Sequence, residues 1–216
     1  MEITSKLTLH SPYKPDNDKL FHIVIPTFNG GYKLEVIINC LLAQTCQDFH
    51  MSVISDGYEA TTYSQLEKYF GVSNFSYFST DKRYNDYGHT PRELGMRSSD
   101  CKYTIMTGFD NYYVPIFIER FEQACSAANN VGFIFCDFIL DHIRDGRRYR
   151  KYIDSKLEVN YIDIGNFAAE TQFIKQAGIK VNEYAADWHL VNDLIPLLKS
   201  SAREIIKIPQ TLYVHN

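Results

Sequence analysis

The sequence predicts an α/β fold, a mostly parallel central sheet flanked by helices, in one domain. Three observations carry this. Short apolar runs alternate with segments of helical periodicity along the first half of the chain, the pattern of right-handed strand–helix–strand crossovers. The runs break off at proline or at polar turns rich in Gly, Asp and Asn, as buried strands do. The length, 216 residues, is enough for one substantial core without disulfides or metals as staples.

Taken in order, residues 1–19 read as a polar arm with one short edge strand around Leu7 to Leu9. Phe21 to Pro26 is the first buried strand, followed by the loop Thr27-Phe28-Asn29-Gly30-Gly31. Leu34, Ile37, Ile38, Leu41 and Leu42 recur at helical spacing and predict a helix over Tyr32 to Gln44. Met51 to Ser55 is the second strand, closed by Asp56-Gly57. A helix marked by Tyr63, Leu66, Tyr69 and Phe70 ends at Gly71, and Phe75 to Phe78 is the third strand. After a tyrosine-rich loop, Thr90-Pro91-Arg92-Glu93 predicts a helix start, with Thr90 as N-cap, Pro91 at the first helical position and Glu93 closing a capping box.

Tyr103 to Thr107 is the fourth strand. It runs into Gly108-Phe109-Asp110-Asn111, with Pro115 opening the next helix. From Val131 the pattern becomes mixed: a long strand over Val131 to Leu140, a hairpin turn at Arg144-Asp145-Gly146-Arg147, a strand over Tyr161 to Ile164, a short helix over Glu170 to Ala177, a helix from Asp187 and a late strand over Arg203 to Ile208. Residues 20–120 thus form a nucleotide-fold-like half. Residues 121–216 build the other wall of a cleft.

Composition narrows the function. The formal net charge of −4 offers nothing global to nucleic acid. Five cysteines, widely spaced and without a CxxC pair, predict reduced thiols in a cytoplasmic protein. No apolar stretch approaches a membrane span, so any membrane contact is expected to be peripheral. With 16 Tyr and 14 Phe, the chain is rich in side chains that suit clefts for sugars or bases. Ligands of open α/β sheets gather beyond the carboxyl ends of strands. Asp110 stands there, as a candidate for holding a metal or a phosphate-bearing ligand.

Four segments, in order and at fitting spacings, resemble glycosyltransferase family 2, the inverting enzymes of GT-A fold. They are Ile25-Pro26-Thr27-Phe28-Asn29 after the first strand, Ser55-Asp56-Gly57-Tyr58 after the second, Gly88 with Pro91-Arg92-Glu93-Leu94-Gly95, and Gly108-Phe109-Asp110 with Pro115. Two positions depart from the family's pattern: Gly108 replaces the first acid of Asp-x-Asp, and Ser55 the first acid of Asp-Asp-Gly.

The resemblance implies transfer of a sugar from a nucleotide-diphospho-sugar, UDP-sugar favoured, to a glycan or lipid-linked acceptor hydroxyl with inversion, as in bacterial-type surface polysaccharide synthesis. It implies donor contacts from Pro26, Thr27, Phe28, Asn29, Asp56, Arg92 and Asp110. Asp56 can equally be a turn-former beside Gly57, Phe28 core, and Arg92 a surface cation.

A divalent cation, Mn²⁺ or Mg²⁺, would sit on Asp110, with Asn111 and His215 as further candidates. A nitrogen ligand from His215 tilts the choice toward Mn²⁺, while a frayed terminus is the plain alternative for that residue. Asp187 is the candidate general base, and also a good helix N-cap. His189 is a rival base. Trp188 and Asp137 are candidates for the acceptor side. Asp137, a lone acid in an apolar strand, needs a cleft or an arginine partner. The basic residues Arg144, Arg147, Arg148, Arg150 and Lys151 read as a solvated face or as an approach to a lipid diphosphate.

The other class that fits is a non-catalytic module of the same shape that binds a nucleotide sugar or glycan. A sugar nucleotidyltransferase is disfavoured because no glycine-rich basic loop follows the first strand. A dinucleotide oxidoreductase is disfavoured because no GxGxxG does.

Overall fold

The computed structural model describes residues 6–179 and 186–216. Its elements follow the alternation in the sequence: β1 (Leu7–Leu9), β2 (Phe21–Thr27), α1 (Gly31–Leu42), β3 (Phe49–Ser55), α2 (Ala60–Leu66), β4 (Phe75–Thr80), α3 (His89–Arg97), β5 (Tyr103–Met106), β6 (Tyr112–Tyr113), α4 (Phe117–Ser126), β7 (Val131–Arg144), β8 (Arg147–Ile153), β9 (Phe167–Glu170), α5 (Thr171–Ala177), α6 (Ala186–Ser200) and β10 (Glu204–His215).

The strands form one sheet in the order β1-β4-β3-β2-β5-β9-β7-β10-β6, with β8 on the flank of β7. The central strands β4, β3, β2 and β5 are all parallel. Antiparallel pairs of β9 with β5 and β7 join this unit to the second half. Every residue of β2 and β3 is buried, as in parallel strands covered on both faces, and their polar members His22, His50 and Ser52 are buried with the rest. One face packs Phe21, Ile23 and Ile25 against Leu34 and Ile38 of α1. The other packs Val24, Ile54 and Phe78 against Met96 of α3, and its layer continues through Ile174 and Leu190 to α5 and α6. Gly95 sits where α3 meets the sheet: a Cβ there would stand 2.5 Å from Val24 and 3.0 Å from Ile54, which explains glycine inside a helix despite its propensity cost. No helix among the described residues is long and apolar enough to cross a membrane.

Several local expectations are corrected. No capping box forms at α3. The backbone N–H and hydroxyl of Thr90 both donate to Asp86, and the helix starts two residues earlier than expected, at His89 behind Gly88, whose φ is +79. Glu93 instead accepts from Arg97 and from the backbone of Ile179. Tyr161 to Ile164 is not a strand. Asp163 Oδ1 accepts from the Gly165 N–H, and Asn166 Oδ1 accepts from the Asp163 N–H. Side chains that satisfy nearby backbone compete with sheet pairing, and the strand forms later, at β9. The helix expected to open at Pro115 begins at Phe117. The late strand runs on past Pro209 to His215, with register shifts between Ile208 and Tyr213. The hairpin turn at Asp145 and Gly146 forms with φ of +52 and +70, the left-handed pair that two-residue hairpins favour.

Candidate active site

The carboxyl ends of β2, β3 and β5 and the start of α3 enclose a cavity of about 430 Å³. Pro26, Thr27, Phe28, Asp56, Arg92 and Asp110 all line it, together with Arg83, Asn85, Tyr87, Gly88, Gly108 and Phe109. Asn29 does not. It is exposed, in a left-handed conformation, and its N–H donates to Glu59.

Each lining side chain is placed for a reason. Asp56 is buried just past β3. It accepts from the backbone N–H groups of Tyr84 (2.7 Å) and Asn85 (2.8 Å) and so draws the loop after β4 over the cleft. The turn role and the cleft role coexist, since a carboxylate has lone pairs beyond these two. Phe28 is 38% exposed, and the Arg83 guanidinium lies 3.6 Å from its ring centroid, a stacked plate of the size a nucleobase could extend.

Arg92 is buried, not a surface cation. Its Nε donates to the Thr107 carbonyl (3.2 Å) and its Nη1 to the Tyr87 carbonyl (3.0 Å). Burial pulls its pKa down, opposed by the charges of Asp163, Asp187 and Asp86. Among the described residues no carboxylate comes within ion-pair distance of it. A buried guanidinium held by carbonyls at a cavity wall is suited to an anionic ligand such as phosphate. Gly88 keeps this wall open, because a Cβ there would reach 3.0 Å from Pro26 and 3.3 Å from Arg92.

Asp110 lies at the cavity rim with Lys33 Nζ 3.4 Å away. Next to it, Asn216 donates to the Asp110 carbonyl and to Asn111 Oδ1. His215 is part of β10, and its Nδ1 is 2.5 Å from Asp163 Oδ2. Its ring meets that of His142 edge-on at 5.0 Å. Burial pushes the His215 imidazole down and the Asp163 carboxylate outweighs it, so the net direction is up.

Asp187 stands in the first turn of α6, where its Oδ1 accepts from the Trp188 N–H. Burial first, then the charge of Asp163, raises its carboxyl pKa. Trp188 packs partly buried against the cluster under α5 and α6.

Asp137 is not brought to the cavity. It is buried among Tyr152 (2.8 Å), the Ser155 N–H (2.9 Å) and Lys207 (2.9 Å), so its partner is a lysine and not an arginine. Of the basic residues on the hairpin, Arg148 and Arg150 both pair with Asp141 and hold its carboxyl down to about 2.

Comparison with known proteins fits this layout. The family model described as glycosyl transferase family 2 matches residues 22–188. The chain belongs to glycosyl transferase family 2. No curated protein matches the sequence. Among solved structures, S. aureus TarS (residues 1–349) in complex with UDP-GlcNAc is similar over 90% of this chain and 58% of its own, with 12% identity and a TM-score of 0.72. The mannosyltransferase PcManGT from Pyrobaculum calidifontis, in complex with GDP-Man and Mn²⁺, is similar over 95% of this chain and 60% of its own, with 15% identity and a TM-score of 0.68. The chain therefore spans about three-fifths of the length of these structures, and they share its GT-A fold.

For a family 2 protein the cation site is sparse. Among the described residues, no group of three or more His, Cys, Asp or Glu side chains is placed to hold a metal ion. Asp110 and His215 remain, beside Gly108. A Mg²⁺-like cation bound mainly through substrate phosphates and water needs only one or two protein ligands, so the residues present fit a cation that arrives with a diphosphate.

Sequence reasoning missed Arg83, Tyr87, His142 and Asp163. The first two sit in a loop without periodicity. Asp163 was legible: Asp163-Ile164-Gly165-Asn166 between apolar residues is turn chemistry, not a strand.

Proposed function

We propose that the protein is an inverting glycosyltransferase that moves a sugar from a nucleotide-diphospho-sugar to a glycan or lipid-linked hydroxyl. The observation that carries this is the buried Arg92 and the rim acid Asp110 on one strand-end cavity, with Asp187 outside its lining but within electrostatic reach of Arg92. A uridine donor is favoured, since TarS was solved with UDP-GlcNAc, and guanosine, as in the GDP-Man complex, is the rival.

In this reading the base stacks near Phe28 and Arg83, with Asp56 accepting from a base N–H. Arg92 takes charge from the diphosphate. A divalent cation at Asp110 and His215 would neutralise the leaving diphosphate as a Lewis acid. Asp187 accepts the acceptor's hydroxyl proton as the oxygen attacks the anomeric carbon on the face opposite the diphosphate. The C–O bond to phosphate breaks as the new glycosidic bond forms, and the centre inverts. A raised carboxyl pKa suits a base that must hold that proton. Trp188 and the hairpin face carrying Leu140, His142 and Tyr149 lie on the acceptor side. This face lines a further cavity of about 620 Å³. Synthesis of a surface polysaccharide from the cytoplasmic side fits such a donor and acceptor.

The test is donor turnover followed by NMR. The protein with Mn²⁺ and UDP-, GDP- or dTDP-sugars should release sugar slowly to water, and an α-linked donor should first yield the β-anomer. Release of the α-anomer would contradict inversion. Donor binding without turnover across an acceptor pool would favour the non-catalytic module, which the missing acid at Gly108 would then explain.

A further inference from the structure

We propose that Asp163 is a positioning residue: it fixes His215 in the tautomer with the proton on Nδ1, leaving Nε2 as the ring nitrogen open to a cation that travels with the donor diphosphate. This rests on the transferase reading and on His215 as a ligand. It goes beyond them by naming what sets the ligand's chemistry.

The geometry divides the Asp163 carboxylate into two halves. Oδ1 belongs to the fold: it accepts from the Gly165 N–H (2.8 Å) and the Tyr213 hydroxyl (2.8 Å). Around it, Tyr113 donates to the Gly165 carbonyl at 2.9 Å. A Cβ on Gly165 would strike the Tyr213 ring, so the turn is pressed against that ring. Among the described residues Oδ2 accepts only from His215 Nδ1. The carboxylate is buried and anchored before it meets the histidine. It can only accept, so the nitrogen facing it must carry hydrogen. An outer carboxylate that takes one ring N–H of a ligating histidine selects the tautomer and raises the basicity of the other nitrogen. His215 is one residue from Asn216, whose side chain is tied to the Asp110 carbonyl, and the Asp110 charge acts on the His215 imidazole, so the ring stands near the rim carboxylate.

Asp163→Asn separates the two halves. The Gly165 N–H is a fixed donor, so the amide oxygen must take the Oδ1 place and the NH₂ must face His215. A donor opposite Nδ1 forces the proton onto Nε2 and removes its lone pair from the cation. Tyr213→Phe is the control, since it removes a fold-side contact and leaves the His215 pair.

Two measurements on the full chain test this. The first is the ¹⁵N tautomer pattern of the His215 ring at alkaline pH, without metal or substrate. Wild type should show Nδ1–H, and Asp163→Asn should show Nε2–H. Nε2–H in wild type would overturn the proposal. The second is Mn²⁺ affinity in the presence of UDP, read from the EPR signal of free Mn²⁺. Asp163→Asn should weaken it about 10- to 100-fold, with UDP affinity in the absence of metal unchanged. His215→Ala should weaken it similarly, and the double variant should lose no more than either single one. Tyr213→Phe should keep Mn²⁺ affinity and lower only Tm.

If His215→Ala weakens Mn²⁺ and Asp163→Asn does not, Asp163 only holds the turn and the proposal fails. If His215→Ala leaves Mn²⁺ binding intact, the ligand reading fails and takes the proposal with it. If wild type binds neither UDP nor Mn²⁺·UDP, the transferase reading itself is what fails. Should Asp163→Asn not fold, the wild-type tautomer and the His215→Ala titration still separate these outcomes.

Discussion

Replacing Asp187 by Asn leaves donor affinity unchanged and lowers sugar transfer by roughly 10²- to 10⁴-fold, the usual worth of a positioned general base. Asp187 is the second residue of α6 and not its N-cap; the Asn side-chain oxygen can still accept from the Trp188 N–H, so α6 keeps its first turn. The loss would then report chemistry and not folding. The pKa direction sharpens this. Burial and the Asp163 charge raise the carboxyl, so the base is ionised only above a pKa higher than an ordinary aspartate's. The acid limb of the rate profile should lie correspondingly high, and transfer should rise with pH through it. The same shift carries a sign for stability. A carboxyl whose folded pKa is raised stabilises the fold while protonated, and that contribution is lost as pH rises through the folded value. At neutral pH the Asn variant escapes this cost, so its Tm should match or exceed wild type while its rate collapses. Persistent transfer would reduce Asp187 to a structural residue of the first turn of α6.

The second large effect is on stability in mild acid. His22 and His50 lie side by side in the central strands, fully buried. Each shares a hydrogen bond with a serine on the next strand, His22 with Ser52 at 2.8 Å and His50 with Ser76 at 2.6 Å. Their Nδ1 atoms are buried without a partner among the described residues. Burial, and for His22 the neighbouring His50 and Lys175, holds His22 down to about 3. Burial holds His50 down to about 4, with Asp16 opposing it and Lys19 reinforcing it.

The unfolded chain takes up these protons near pH 6.5 and the fold refuses them. Stability is therefore full above about pH 6.5 and falls as pH drops toward the folded values, by about 1.4 kcal/mol per pH unit for each histidine refused. Against a total of roughly 5–15 kcal/mol for a typical domain, that slope decides whether the sheet survives at pH 5. Urea unfolding from pH 7.5 to 4.5 should show the midpoint falling steeply below pH 6.5. The His22→Gln/His50→Gln double variant should be weaker at pH 7.5 but flatter across that window. A flat wild-type profile would contradict the assignment.

The parts of the molecule legible in sequence are those where one physical signal dominates. Phe21 to Pro26 is buried on both faces, and no competing pattern disguises it as anything but a strand. The strand-end residues Thr27, Asp56 and Asp110 follow from such runs, so the cleft could be placed before its walls were known. The signal failed where local hydrogen bonding overrode periodicity. Asp86 captures Thr90 and dissolves the capping box. The Asp163–Asn166 turn interrupts what reads as an apolar run. It also failed where contacts are long-range: nothing near Asp137 in sequence announces Lys207, and nothing near His215 announces Asp163. The return of β10 to the neighbourhood of Asp110 depends on its parallel pairing with β7, which no local window contains.

The central claim is that the cavity at the ends of β2, β3 and β5 holds the nucleotide of a sugar donor. Calorimetric titration of UDP-GlcNAc and GDP-Man, with Mn²⁺, into wild type and Phe28→Ala tests it most directly. Phe28 is exposed, so its loss should leave Tm unchanged. The expected result is saturable one-site binding of at least one donor, weakened about tenfold by Phe28→Ala, in keeping with roughly 1–3 kcal/mol for a base stacked on an aromatic ring. No binding of either donor, or equal binding by both proteins, would contradict it.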